Sequence, residues 1–205
     1  MHRMEKRTLT RARLVEAALN VFAFEGYEHA TVDDIARAAG LSKGAFYFNF
    51  NTKEEVLLEL LSRWADERSS LLHAAFAFER DAGTRLRAMA EALAAYRGGT
   101  NWPPLVLEFW SQALRAGEVG RRLGQAYRDW RKLLATAAAE AGDAVAGRPG
   151  QVADAILAIH DGAVTEIALG RTRGTTRAAP ALWAMVAAGI GRPAPLRVEA
   201  AAAGA

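Results

Sequence analysis

Residues Gly40–Asn51 read GLSKGAFYFNFN. Phe46, Tyr47, Phe48 and Phe50 are crowded together with Lys43, Gly44 and Asn49. A wholly buried helix would exclude the lysine and the glycine; a solvated loop would exclude most of the rings. A short helix with one buried face and one working face accommodates both. Gly40 suits a left-handed turn and Ser42 is an N-cap type, so a helix is predicted over 43–48. Phe46 and Phe50 are assigned to the core, Lys43, Gly44, Ala45, Tyr47 and Asn49 to the outer face, and Phe48 to neither.

The flanks extend the pattern. Thr31-Val-Asp-Asp34 has the cap-then-acid form of a helix start, followed by Ile35, Ala36 and Ala39. Thr10 to Glu25 carries Leu14, Ala17, Ala18, Val21 and Phe22 at helical spacing, and Gly26 closes it. Thr52-Lys-Glu-Glu55 reads as a capping box opening a long helix through Trp64 to Phe76. Two helices joined at Gly40 have the layout of a helix-turn-helix, as against an ordinary helical hairpin.

The remainder reads as further helices: Arg85–Tyr96, Leu105–Ala116, Glu118–Ala141, Val152–Leu169 and Ala179–Ile190. Gly98-Gly99 and Pro103-Pro104 are expected to bracket a break, Gly147–Gly150 to form a turn, and residues 196–205 to be a flexible tail. The expected fold class is all-α. Residues 1–51 form a helix-turn-helix domain and residues 52–195 a second helical domain.

Bulk chemistry narrows the function. The 205 residues are 51% hydrophobic and 24% charged, with net charge +3. There is no cysteine, which excludes disulfides and thiolate chemistry and favours a cytoplasmic setting. No signal peptide or membrane span is expected. His2, His29, His73 and His160 show no metal spacing, and no Gly-rich phosphate loop or catalytic constellation occurs, so neither enzyme activity nor a cofactor is expected. Basic residues gather at Arg3, Lys6, Arg7, Arg11 and Arg13, and again at Arg37, Lys43 and Lys53 in an acid-free stretch. Such gathering suits phosphate. The segment before Thr10 reads as a basic arm that either follows DNA or has no specific role.

The segment ARLVEAALNVFAFEGYEHATVDDIARAAGLSKGAFYFNFNTKEEVL resembles the DNA-binding domain of the TetR (tetracycline-repressor) family over about 45 residues. The resemblance rests on Ala17-Ala18, Phe22, Gly26-Tyr27, Thr31 to Ala36, Ala39 to Ser42, Gly44, Phe46-Tyr47, Phe50 and Lys53-Glu54. It implies a homodimer on double-stranded palindromic operator DNA, released by a small-molecule effector. The implied DNA-contacting residues are Thr31, Ser42, Lys43, Gly44, Ala45, Tyr47, Asn49 and Lys53. The C-terminal helices would bind an apolar or aromatic effector and form the dimer. Candidate lining residues are Trp64, Phe109, Trp110, Tyr127, Trp130 and His160. His160 and Glu166 are polar within apolar patterns, and either satisfy local groups or anchor the effector. A helical protein-interaction adaptor is the alternative.

Overall fold

The computed structural model describes residues 3–79, 81–94, 101–115, 117–141 and 148–170. These form helices α1 (Arg3–Glu25), α2 (Val32–Ala38), α3 (Lys43–Asn49), α4 (Lys53–Phe78), α5 (Ala82–Ala94), α6 (Trp102–Ala113), α7 (Glu118–Glu140) and α8 (Pro149–Ala168). No strand occurs among the described residues. Tyr96, the helix expected at Ala179–Ile190 and the tail at 196–205 lie outside them.

The starts of α2, α3 and α4 follow from their caps. Thr31 accepts from the Asp34 amide and Asp34 accepts from the Thr31 amide, a reciprocal capping box. Ser42 accepts from the Ala45 amide at 3.1 Å. Thr52 accepts from the Glu55 amide, but the Glu55 carboxylate reaches back to the amide of Asn51, not to Thr52. Gly26 and Gly40 adopt φ of +81° and +64°, the left-handed region that lets the chain turn sharply after α1 and α2.

Three boundaries differ from expectation. α1 begins at Arg3, so the expected basic arm is helical. Pro103 and Pro104, expected to precede the helix at Leu105, lie within the first turn of α6, where a missing N–H leaves no intrahelical bond unmade. Pro149 likewise lies at the start of α8.

A single apolar cluster runs from Leu14 and Phe22 on α1, through Phe46, Phe50, Leu57 and Trp64, to Leu134, Ile156 and Val164. α1 packs on α2, α3, α4 and α6; α7 packs on α4, α5, α6 and α8. The helix-turn-helix therefore rests on α1 and the start of α4, while α6 connects α1 to the remaining helices.

Candidate DNA-reading head and effector cleft

The short α3 has two faces. Phe46 and Phe50 are fully buried, their centroids 5.7 Å apart, whereas Tyr47 and Phe48 remain 51% and 64% exposed. Lys43, Gly44 and Ser42 are exposed beside them. Lys43 pairs with Asp33 at 2.8 Å, tying the start of α3 to α2. That contact raises the lysine's pKa, first through the hydrogen bond and then through Asp33's charge, so Lys43 stays cationic. Thr31 is exposed at the N-terminus of α2.

Two expected contacts lie differently. Asn49 is 8% exposed and does not share the outer face of Tyr47. Its amide donates to the Ala45 carbonyl at 2.8 Å, folding the side chain back on its own helix. Lys53 donates to the carbonyls of Tyr27, Glu28 and Ala30 at 2.7, 3.2 and 3.0 Å, with its ammonium 4.4 Å from the Tyr27 ring centroid. All three ammonium donors are thereby engaged, and the residue staples the α1–α2 loop to α4. Lys53→Met is expected to lower stability by about 2 kcal/mol, the scale of hydrogen bonds to a charged group. A urea titration unchanged from the parent would remove the staple assignment.

Other cations serve as helix caps, a role the sequence alone did not disclose. Arg13 donates to the carbonyl of Ala39, just after α2, at 2.6 Å. Arg11 donates to the last carbonyl of α3, Asn49, at 2.6 Å, pairs with Glu59 and lies 4.0 Å from the Phe50 centroid. Carbonyls at helix C-termini lack intrahelical donors and carry the negative end of the dipole, so both arginines fix the two helices to α1. Lys6 and Arg7 instead line a groove of about 360 Å³ with Thr10, Ala45, Phe48 and Asn49. The Arg7 guanidinium lies 5.6 Å from the Phe48 centroid. The first turns of α1 thus sit alongside the reading helix.

Among the helices that follow, the expected effector residues divide. Trp64, Phe109, Trp130 and His160 are buried core; Trp64 stands 5.3 Å from Trp130 and 5.9 Å from Phe109 between centroids. His160 Nδ1 lies 3.0 Å from the Leu93 carbonyl oxygen. As that carbonyl can only accept, Nδ1 carries the proton. Trp110 and Tyr127 are half-buried and line a cleft of about 370 Å³. Near it the reading head meets α6: Glu28 accepts from Gln112 at 2.9 Å and from Arg115 at 2.6 Å.

Known proteins share this arrangement. The family model for bacterial regulatory proteins of the tetR family matches residues 14–60. The model for the C-terminal part of BetI-type transcriptional repressors matches residues 82–192, more than half of the chain. The chain belongs to the TetR family. This TetR-family protein thus carries the DNA-binding helix-turn-helix of bacterial regulatory proteins in its N-terminal part. The transcriptional regulator SrpR of Pseudomonas putida is 51% identical over 53 residues, 26% of this chain and 25% of SrpR. The transcriptional activator FasR of Mycolicibacterium smegmatis is 40% identical over 82 residues, 40% of this chain and 37% of FasR. The matches thus span well under half the length of these relatives. A transcriptional regulator from Pseudomonas aeruginosa PAO1 shares the fold with a TM-score of 0.75 at 24% identity, covering 88% of this chain and 89% of that one. A regulator from Saccharomonospora viridis, solved with choline, gives 0.72 at 22%, covering 89% and 96%. Among the described residues no helix is long and apolar enough to cross a membrane.

Proposed function

We propose that the protein is a cytoplasmic repressor that binds a palindromic operator as a homodimer and is released by a small molecule held among its C-terminal helices. The observation that carries this reading is the division of α3: Phe46 and Phe50 anchor it, while Lys43, Gly44, Tyr47 and Phe48 face outward. Lys43, Gly44 and Ala45 address base edges. Thr31, Ser42 and Tyr47 contact phosphates, and Lys6 and Arg7 extend the basic surface. Residues 1–51 form the DNA-binding unit, and residues 52–195 the effector and dimer unit. On α8, Ala158 and Gly162 are small and exposed one turn apart, suited to close pairing with a second copy.

The effector is apolar or aromatic, and Trp110 and Tyr127 lie in its cleft. The choline bound by the Saccharomonospora viridis regulator supports a small-molecule site in this fold. Release is mechanical. Effector bound against α6 shifts that helix. The shift passes to the α1–α2 loop through Gln112 and Arg115 on Glu28, and through α4 to the end of α3. It requires only that the effector bind the two arrangements with different affinity.

Fluorescence anisotropy with duplex DNA from the region beside the gene tests the proposal. Binding is expected to be sequence-specific and to weaken steeply with salt. Tyr47→Phe is expected to weaken all duplexes similarly, and Lys43→Ala to alter base preference by about 1–3 kcal/mol at one position. A well-folded dimer without specific binding to any palindrome tested would favour the adaptor reading. Reporter transcription with the gene deleted is expected to rise; a fall would make the protein an activator, as FasR is.

A further inference from the structure

Phe48 is a bare phenyl ring on a face otherwise built for hydrogen bonds. It is 64% exposed, while Phe46 and Phe50 on either side of it are fully buried. Its place on α3 is what gives that exposure meaning. A helix returns to the same face after three and four residues, so Phe48 stands one turn beyond Gly44 and Ala45, the residues assigned to base edges. At Gly44 an added Cβ would meet only the Ser42 hydroxyl, at 3.7 Å, so this row opens with clear space over the backbone. A base edge that approaches Gly44 meets the Phe48 ring next.

The neighbouring side chains are turned elsewhere. Lys43 pairs with Asp33. Asn49 is buried, and its amide donates to the Ala45 carbonyl. Phe48 is therefore the last outward side chain of α3. From the other side α1 closes in. The ring forms one wall of the groove shared with Lys6, Arg7, Thr10 and Ala45, and the Arg7 guanidinium lies over it, 5.6 Å from the centroid. A guanidinium is drawn to one aromatic face, which leaves the opposite face and the edge for a ligand. A phenyl ring makes no ordinary hydrogen bond, so it cannot read the donor and acceptor pattern of a base pair. The apolar feature that the major groove presents is the C5-methyl group of thymine.

We propose that Phe48 is a specificity-determining residue, packing against the C5-methyl group of one thymine in each half-site. The proposal rests on the operator-binding regulator described above and adds an apolar reader to its hydrogen-bonding ones. Lys43 distinguishes bases by their polar edges, and Phe48 by the presence of a methyl group.

The test uses the full chain and the palindromic duplex it binds most tightly by anisotropy, at one fixed salt concentration. Thymines related by the palindrome are replaced, one symmetric pair at a time, by deoxyuridine. This removes the methyl group and leaves every hydrogen-bonding group of the base in place. One pair of positions is expected to lose about fourfold in affinity per half-site, about 16-fold together, the worth of burying one methyl-sized group at each. Phe48→Ala is expected to bind the thymine and uracil duplexes equally at that pair, with any penalty at other positions retained. Because the ring is largely exposed, Phe48→Ala is also expected to keep the parent's urea midpoint. A Phe48→Ala protein that does not fold would show the ring to be structural and would overturn the proposal. So would a parent with no uracil penalty at any position, or penalties that all survive in Phe48→Ala. Specific operator binding with any of these results removes only the Phe48 assignment. Absence of specific binding by the parent removes the regulator reading itself, and the Phe48 assignment with it.

Discussion

Phe46→Ala is expected to lower stability by about 3–5 kcal/mol and to abolish operator binding, whereas Tyr47→Phe, one residue away, leaves stability within about 0.5 kcal/mol of the parent. The contrast follows from where each ring goes. Phe46 is fully buried and packs against Phe50 and, edge to face, against Tyr47. Truncating it removes the main apolar anchor of a seven-residue helix. A helix that short has little stability of its own, because nucleation is unfavourable and few bonds follow. The loss therefore falls on the position of the whole reading face. Tyr47 is half exposed, and its hydroxyl is required only by DNA under the proposed function. Urea denaturation with parallel anisotropy measures both effects. A Phe46→Ala protein as stable as the parent would show that α3 is held by something other than its buried ring.

The same two rings show how much of the architecture is legible in the sequence. Local chemistry carries far. Gly40, Ser42, Thr31 and Thr52 act within four residues of themselves, and their turn or cap roles are readable from residue type and spacing. Phe46 and Phe50 are separable from Tyr47 because a helix returns to the same face every three to four residues. Interactions that span the chain are not readable this way. Arg11 and Arg13 look like part of a basic surface, yet they cap helices 38 and 26 residues further on. Lys53 opens α4 and looks free for phosphate, until the fold brings the carbonyls of residues 27, 28 and 30 to its ammonium. The early start of α1 is hidden for a different reason. Its first turns are polar and carry no apolar stripe, so periodicity has nothing to detect. The cleft is obscured likewise: its rings are visible in sequence, but Asp161 becomes their partner only when α8 packs on α7.

His160 is expected to make the protein acid-sensitive between about pH 6.5 and pH 4. Burial, the main cause, pushes its pKa down to about 4; the Leu93 hydrogen bond opposes this and the nearby Arg68 charge adds to it. The ring lies between Trp64 on α4 and Trp130 on α7, 6.3 and 6.4 Å away between centroids. Charging it there would place a cation among apolar rings and beside another cation. In the unfolded chain the same residue titrates near 6.5. Above that value both states are neutral and the contribution to stability is fully present. As pH falls below it the unfolded state takes up a proton that the folded state refuses, so stability declines until the folded pKa is reached. The displacement corresponds to about 3 kcal/mol at the acid end. Asp161, the next residue, acts with the opposite sign. Its carboxyl is held above its ordinary value, so its contribution is fully present below the unfolded pKa and lost as pH rises through the folded one. Measuring in an Asp161→Asn background removes that opposing slope. Urea midpoints at pH 7.5, 5.5 and 4.5 are then expected to fall with acid, and His160→Gln, which cannot take up the proton, to flatten the decline. Parallel profiles for the two proteins would mean that His160 reaches solvent or an acidic partner in the folded state.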